Sequence, residues 1–358
     1  MITIHQKYII SKFLISLTKV LVIFSFLIFL MNLLEEISFF KNIESSLLTI
    51  LLLTLINTPS ILFEIFPFIF LIGTIYFFME IIDTGEIYSL KILSVSNIKI
   101  LTTISIISFL IGIFIITFFY HLSTNLKFVY LEKKNNFSKD DRYLAVVTSN
   151  GLWIRDKINN DINFINAERI NKNYLINIFI SSFDKNLNLQ YSLKADEADI
   201  KTTDWKLQNV TYNFNNEIKK YENYQFNSNF NEEKINSLFE DLSSLSLFDL
   251  MSLEEDYKLL GYSADPINNL KHKIYSYPFY LAIMTAIGAI IMLRINYNKK
   301  KIFHIILGVL LSVFIYYINH LSELIIESRN LSFIYSVWGL QLLLLIIVSI
   351  NLVRLNEK

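Results

Sequence analysis

Apolar and polar positions along this chain separate into long blocks. Six apolar blocks reach or approach the roughly 20 residues that a bilayer-spanning helix needs. They are Phe13–Leu34, Leu47–Phe78, Ile98–Leu122, Tyr277–Leu293, Ile302–Ile318 and Phe333–Val353. Three precede and three follow a polar middle rich in Asn, Lys, Asp and Tyr. The first block is too long for a signal-peptide core and has no small-residue cleavage site after it, so it reads as a retained anchor. The second exceeds one bilayer thickness and contains Pro59 and Pro67, which predicts tilt, a kink at the prolines or an interfacial first turn. Met1–Lys12, with Ile2, Ile4, Tyr8, Ile9 and Ile10, reads as a short interfacial helix leading into span one.

The polar middle reads as β structure. Tyr143–Thr148, Leu152–Arg155, Ile162–Ala167, Tyr174–Ser181, Leu187–Leu193 and Trp205–Phe214 are short runs rich in β-branched and aromatic residues. Turn formers separate them, as in Ser149-Asn150-Gly151, Asn159-Asn160-Asp161 and Asp184-Lys185-Asn186. Evenly spaced short strands predict a sandwich or jelly roll of about 100 residues. Such a fold serves either as a ligand holder or as an inert spacer. Ser243–His272 has leucines at helical spacing, with Gly261 as its stop. The expected fold class is an α-helical membrane protein with six transmembrane helices (3+3) and an inserted all-β domain, a sandwich or jelly roll. Its expected parts are 1–130, the first membrane half; 131–242, the β domain; and 243–358, a connector helix and the second membrane half.

Basic residues set the expected orientation. Lys7 and Lys12, then Arg294, Lys299, Lys300 and Lys301, then Arg354 and Lys358 all fall on one side if there are six spans. The loops holding Glu35, Glu36, Lys41 and Glu44, and Glu323, Glu327 and Arg329, are acid-rich and fall on the other. Both termini are therefore expected in the cytoplasm, with the β domain on the far side. Hydrophobic content of 53% and a mean hydropathy of +0.43 exclude an ordinary soluble domain. A net charge of zero argues against nucleic acid as a partner. With no cysteine, disulfides, thiolate metal sites and thiol catalysis are excluded.

Motifs for phosphate loops, zinc proteases and serine hydrolases are absent from the sequence. His121, His304 and His320 read as interfacial, and no metal site is expected. Glu64, between the two prolines, is either a proton-path residue or a hydrated carboxylate near the interface; Lys19 is expected to snorkel. Residues from about 84 to 97 carry a helical apolar stripe of Ile87, Leu90, Leu93 and Ile98, with Glu86 and Lys91 off it. A short surface helix between two spans is either an ordinary loop or a lever offered to a partner. Three functions stay open on residues alone: a transporter subunit, a sensor or scaffold with a ligand-binding outer domain, and an enzyme acting on a lipid-linked sugar.

The order of parts resembles the LptF/LptG family of lipopolysaccharide-export permeases. Pro59 and Pro67 stand eight apart, as that family's prolines do. Glu86, Leu90 and Ser94-Val95-Ser96 are similar to its coupling-helix pattern, with Ser94 where the family usually has Gly. Asn150-Gly151-Leu152-Trp153-Ile154-Arg155-Asp156 and Phe164-Ile165-Asn166-Ala167-Glu168-Arg169-Ile170 look like its opening jelly-roll strands, and the first run is closer to the LptG side of the pair. Gly308 and Tyr316 fit as well. Asn32 stands where the family often has a basic residue at the end of span one, with Lys41 further out as a substitute, and Asn330-Leu331-Ser332 replaces a proline-rich loop. The resemblance implies a permease of the inner membrane without its own ATPase site or cofactor, its ATP hydrolysed by a separate cytoplasmic ABC ATPase dimer. It also implies a homologous permease partner, a periplasmic bridge or anchor protein, and lipopolysaccharide as cargo. ATPase coupling falls on Glu86, Leu90, Ser94 and Val95, with Glu86 and Leu90 on the side offered to the ATPase. Lipid contact falls on Asn32, Lys41, Tyr316, Trp153 and Phe179.

Overall fold

The structure, a computed structural model, describes residues 3–43, 45–135, 137, 152–158, 161–171, 173–185, 188–214, 217–232, 235, 242–260, 264–294, 301–328 and 334–356. The chain divides into two compact units, 1–130 with 268–358, and 131–267.

The first unit is helical. Helix α1 spans Ile4–Phe39, so the expected interfacial segment and span one are a single helix. It starts at a capping box: the Gln6 backbone N–H donates to Thr3 Oγ1 at 3.3 Å, and the Thr3 N–H donates to Gln6 Oε1 at 3.0 Å. Helix α2 spans Leu47–Asp83 and runs through both prolines. The short α3 covers Glu86–Ile92. Helix α4, Asn97–Phe114, passes through a π turn at Ile115–Tyr120 into α5, His121–Asn135. Two further spans are α8, Lys301–Ser328, and α9, Ile334–Asn356; α7, Asp265–Arg294, enters this unit from the second. Among the described residues, six helices are long and apolar enough to cross a membrane.

Burial ranks these spans. The most apolar windows of α2 and α7 are 67% and 72% buried, against 22–33% for the other four, so α2 and α7 form the centre and the rest turn apolar side chains outward. Lipid tails are as apolar as leucine, so close packing at small residues has to hold such helices together. A Cβ on Gly288 of α7 would lie 2.7 Å from the Leu71 carbonyl oxygen of α2. One on Gly308 of α8 would overlap Ile75 Cδ1, and one on Gly112 of α4 would lie 2.7 Å from Pro278 Cα.

Prolines inside helices leave carbonyls without their usual donor. Pro67 cannot donate to Phe63, and the Tyr277 hydroxyl from α7 donates to the Phe63 oxygen instead, at 2.5 Å. The Phe63 and Tyr277 rings stack at 4.6 Å, and Tyr120 of the π turn lies 5.0 Å from Phe63.

Among the described residues the second unit holds six antiparallel strands: β1 Leu152–Ile158, β2 Asp161–Asn171, β3 Tyr174–Phe183, β4 Leu189–Asp199, β5 Asp204–Phe214 and β6 Glu217–Asn227. Each pairs with its neighbour in sequence to give one sheet. Ile154, Ile165, Ile180 and Leu193 form a cross-strand row and are at most 1% exposed. Asn177 and Asn209 take left-handed φ values of 53° and 55° where pairing skips a position. The segment after β6 folds back on the sheet. Phe230 O accepts from Trp205 Nε1 at 2.7 Å, and the buried Asp156 carboxylate accepts from Ser228 Oγ, Asn229 N and Asn229 Nδ2 at 2.8–3.0 Å. Helix α6, Leu247–Leu260, buries Leu250 and Leu253 in the same unit. Strand β6 was not expected from sequence, because only Phe226 in it is buried. The expected strand at Tyr143–Thr148 and the expected stop at Gly261 lie outside the described residues.

The Gly112–Pro278 approach predicts a specific sensitivity. Gly112→Ala puts a methyl against backbone that cannot yield, and it should lower stability by about 1–3 kcal/mol, read as a fall in the unfolding midpoint in detergent. Gly339→Ala, where nothing lies within 4 Å of the added Cβ, is the control.

Candidate functional site

Helix α3 lies between two left-handed residues, Gly85 at φ 72° and Ser94 at φ 60°. Gly85 takes the step without cost. Ser94 is the C′ residue of a Schellman motif, in which Val95 N donates to Leu90 O at 3.0 Å and Ser94 N to Lys91 O at 2.9 Å. Leu90 and Val95 provide the hydrophobic contact that accompanies this cap, and both pack with the helical core. Ser96 then caps α4 by accepting from Lys99 N at 3.3 Å. The run Ser94-Val95-Ser96 is thus a left-handed turn residue, an apolar plug and an N-cap.

The helix buries Ile87 and Leu90, at 1% and 5% exposure. Tyr88, Ile92 and Leu93 face outward. This corrects the expected placement of Leu90 on the offered side. Leu93 leaves the predicted stripe because the helix ends at Ile92, and the turn that follows re-aims it.

Glu86 also turns inward. Lys12 Nζ of α1 donates to its Oε1 at 3.3 Å, and its Oε2 is shielded from solvent. Burial pushes the Glu86 carboxyl up, but hydrogen bonding to Tyr8 and Lys12 outweighs this and holds it below its usual value. A lowered carboxylate pKa adds stability that is present above the usual value of about 4.3 and lost as pH falls through the lowered one. Further along α1, Ser16 Oγ donates to Glu80 Oε2 at 3.3 Å, and Lys19 Nζ reaches both Glu80 oxygens at 3.3 and 3.4 Å. Lys19 therefore pairs with α2, and it also lies 5.4 Å from the Tyr76 ring centre. Tyr8, Lys12, Ser16 and Lys19 recur at helical spacing, so one stripe of α1 meets two glutamates.

A second polar cluster joins α1, α2 and α5 near the other end of α1. Asn32 is 2% exposed; its Nδ2 donates to Thr54 O at 3.0 Å and its Oδ1 accepts from Asn57 Nδ2 at 3.1 Å. Lys127 Nζ donates to Asn57 Oδ1 at 3.0 Å, and Tyr130 Oη donates to the buried Glu36 at 2.5 Å. Asn32, expected at a lipid-facing position, is thus an interhelical tie. The sequence reading missed Asn57, Lys127 and Tyr130, although polar residues at 54, 57 and 127 interrupt or flank apolar runs. Such interruptions signal helix contact.

Lys41 is exposed in the 3₁₀ turn Phe40–Asn42. Tyr316 is exposed on α8, its ring 6.2 Å from Phe68 and 6.1 Å from Tyr317. Trp153 and Phe179 do come together: both pair with Asn166, so they share a row on the outward face of the sheet, half-exposed. The opposite, core-bearing face carries a feature the sequence reading missed. Tyr191 and Tyr212 stack at 5.3 Å, with Tyr224 and Tyr221 6.1 and 6.4 Å from Tyr212. Their cross-strand partners Ser182, Leu193, Leu207 and Val210 are all buried, so the apolar face opens into tyrosines. Burial first, then the neighbouring tyrosines, pushes the Tyr212 and Tyr224 hydroxyls up.

Glu64 is exposed on α2. His304, expected at an interface, is buried, and its Nδ1 has no hydrogen-bond partner among the described residues. Among the described residues no three His, Cys, Asp or Glu side chains converge as metal ligands would.

A family model described as lipopolysaccharide export system permease LptF/LptG matches residues 7–354. A search of curated proteins finds no match.

Two substitutions test this geometry. Ser94→Gly relieves a left-handed side-chain residue and should raise stability by about 1 kcal/mol. Asn57→Leu removes the partner of both Asn32 and Lys127 and should cost about 2 kcal/mol. Unfolding midpoints in detergent read both.

Proposed function

The chain belongs to the lipopolysaccharide export system permease LptF/LptG family, and from that premise we propose how its parts divide the work of export. It is a permease component. A separate cytoplasmic ABC ATPase dimer supplies the energy, a homologous permease completes the membrane cavity, and a periplasmic bridge protein receives the lipid. Both termini lie in the cytoplasm and the β unit in the periplasm. The basic residues near the span ends support this orientation. The run Gly151-Leu152-Trp153-Ile154-Arg155-Asp156 supports the LptG side of the pair.

The observation that carries the reading is the match over nearly the whole chain, taken with α3, a short helix between spans two and three that exposes Tyr88, Ile92 and Leu93. An exposed apolar face on a helix anchored from beneath by Ile87 and Leu90 is a surface for an ATPase. Glu86, Leu90, Ser94 and Val95 serve coupling by holding that surface in place. Lipid contact falls on Lys41, Tyr316, Trp153 and Phe179 on exposed surfaces, and on the tyrosines at the open end of the sheet's core face. A lipid with several acyl chains needs continuous apolar shelter, since each CH₂ exposed to water costs about 0.8 kcal/mol. No cofactor is assigned to this chain.

Purification in mild detergent followed by reconstitution is the test. A nucleotide-binding subunit and a second six-span protein should co-purify, and the assembly in proteoliposomes should release lipopolysaccharide to a soluble acceptor only with ATP. A stable monomer without ATP-dependent release overturns the reading. Tyr88→Asp combined with Ile92→Asp should lower ATPase capture at least about 10-fold, measured as the subunit ratio after purification.

A further inference from the structure

We propose that Asn163 and Ser182, on the core face of the sheet, form a subsite for an acyl chain that carries an uncharged hydrogen-bond donor. The donor is a hydroxyl on the chain or an amide N–H at its head. The inference rests on the transport reading above for the cargo, and adds the chemistry by which the β unit distinguishes one acyl chain from another.

Two orphaned atoms mark the place. Asp156, Asn163, Ser182 and Tyr191 are cross-strand partners in one row across β1 to β4. Asn163 and Ser182 are 2% and 0% exposed, and Asn163 Oδ1 and Ser182 Oγ have no hydrogen-bond partner among the described residues. Buried polar atoms are costly to leave unpaired. At one end of the row the Asp156 carboxylate is occupied, accepting from Ser228 and Asn229 of the segment that folds back on the sheet. At the other end exposure rises, from Ser182 to the half-buried Tyr191 and Tyr212 and then to Tyr221 at 41%. The row therefore leads from an open tyrosine surface to the two orphaned atoms. Beside it runs the row of Ile154, Ile165, Ile180 and Leu193, at most 1% exposed, which suits methylenes.

The donor chemistry narrows the ligand. An Asn oxygen accepts, and a Ser hydroxyl accepts or donates. A hydroxyl and a secondary amide each offer a donor to Asn163 Oδ1 and an acceptor to the Ser182 hydroxyl; an ester offers no donor. Asn163 and Ser182 are both uncharged, so a phosphate placed there would lose its water without gaining a counter-charge. Replacing orphaned polar groups by apolar ones of similar shape is nearly neutral or stabilising. Asn163→Leu with Ser182→Ala should therefore leave the unfolding midpoint unchanged or higher.

The test titrates the full chain in detergent with methyl β-hydroxylaurate, N-methyllauramide and methyl laurate, and counts bound probe by native mass spectrometry. The hydroxy ester, the amide or both should bind about 10-fold tighter than the plain ester, and whichever does so tells where the cargo carries its donor. The Asn163→Leu, Ser182→Ala chain should bind all three alike. Should that chain fail to fold, Ser182→Ala alone decides, by a preference that falls at least about 3-fold or does not. Equal binding of the three probes by the wild-type chain overturns the proposal and leaves the two atoms to ordered water. So does a preference that survives the substitutions. Lipid release by the reconstituted assembly is read separately. Release without any probe preference overturns the subsite alone, whereas a preference in an assembly that hydrolyses ATP without releasing lipopolysaccharide overturns the transport reading and leaves the subsite standing.

Discussion

Within a membrane, a backbone carbonyl without a donor has no water to turn to and costs several kcal/mol. Pro67 creates such a carbonyl at Phe63 in the helix around which the others pack. The Tyr277 hydroxyl supplies the donor, and this places α7 against α2. The rest of the centre follows from that contact. Phe63 and Tyr277 stack, the π turn brings Tyr120 onto the same ring, and Gly112 lets α4 lie on Pro278. A proline in α2, a π turn between α4 and α5 and a proline in α7 sit around one point. At that point the helices hold one another by donors and aromatic faces where regular hydrogen bonding is interrupted.

Away from this point, α1 is held by polar groups near both ends. Glutamates at 80 and 86 meet a stripe of Tyr8, Lys12, Ser16 and Lys19; Asn32 and Glu36 meet Asn57 and Tyr130. Between them, α1 exposes Val22, Ile23, Phe26 and Leu27. Apolar helices have no hydrophobic reason to stay together in lipid, so paired polar groups set their register. A helix held by polar pairs near its ends, with one face bare between them, has a defined position while leaving that face to other partners.

Much of this was legible in the sequence, for physical reasons that also mark where legibility stopped. Spans were readable because hydropathy over about 20 residues is a strong signal, and β1 to β5 because their inward rows are apolar. Strand β6 was invisible: an edge strand with one buried residue has no alternation to detect. Leu90 was given the wrong direction because periodicity finds a stripe but not what it faces. Asn32 was judged by what it is not, a cation, when its amide finds both a donor and an acceptor on α2. The pairings of Lys12 with Glu86 and Lys127 with Asn57 cross 74 and 70 positions, and no local pattern carries them.

Ser94 shows how a sequence departure becomes intelligible once the backbone is known. The family resemblance placed a glycine at this position, and the structure gives it φ 60°, a conformation that costs an L-residue about 1–2 kcal/mol. The cap that demands it also plugs Val95 beside Leu90 and brings the chain to Ser96, the N-cap of α4. That geometry is kept here by two backbone hydrogen bonds and one apolar contact, with a small side chain in place of none. The placement of α3 therefore depends on the shape of its two ends more than on the identity of the residue at either. A helix of seven residues has too few internal hydrogen bonds to hold itself. It persists because Gly85, the Schellman cap and the buried pair Ile87 and Leu90 fix it from outside.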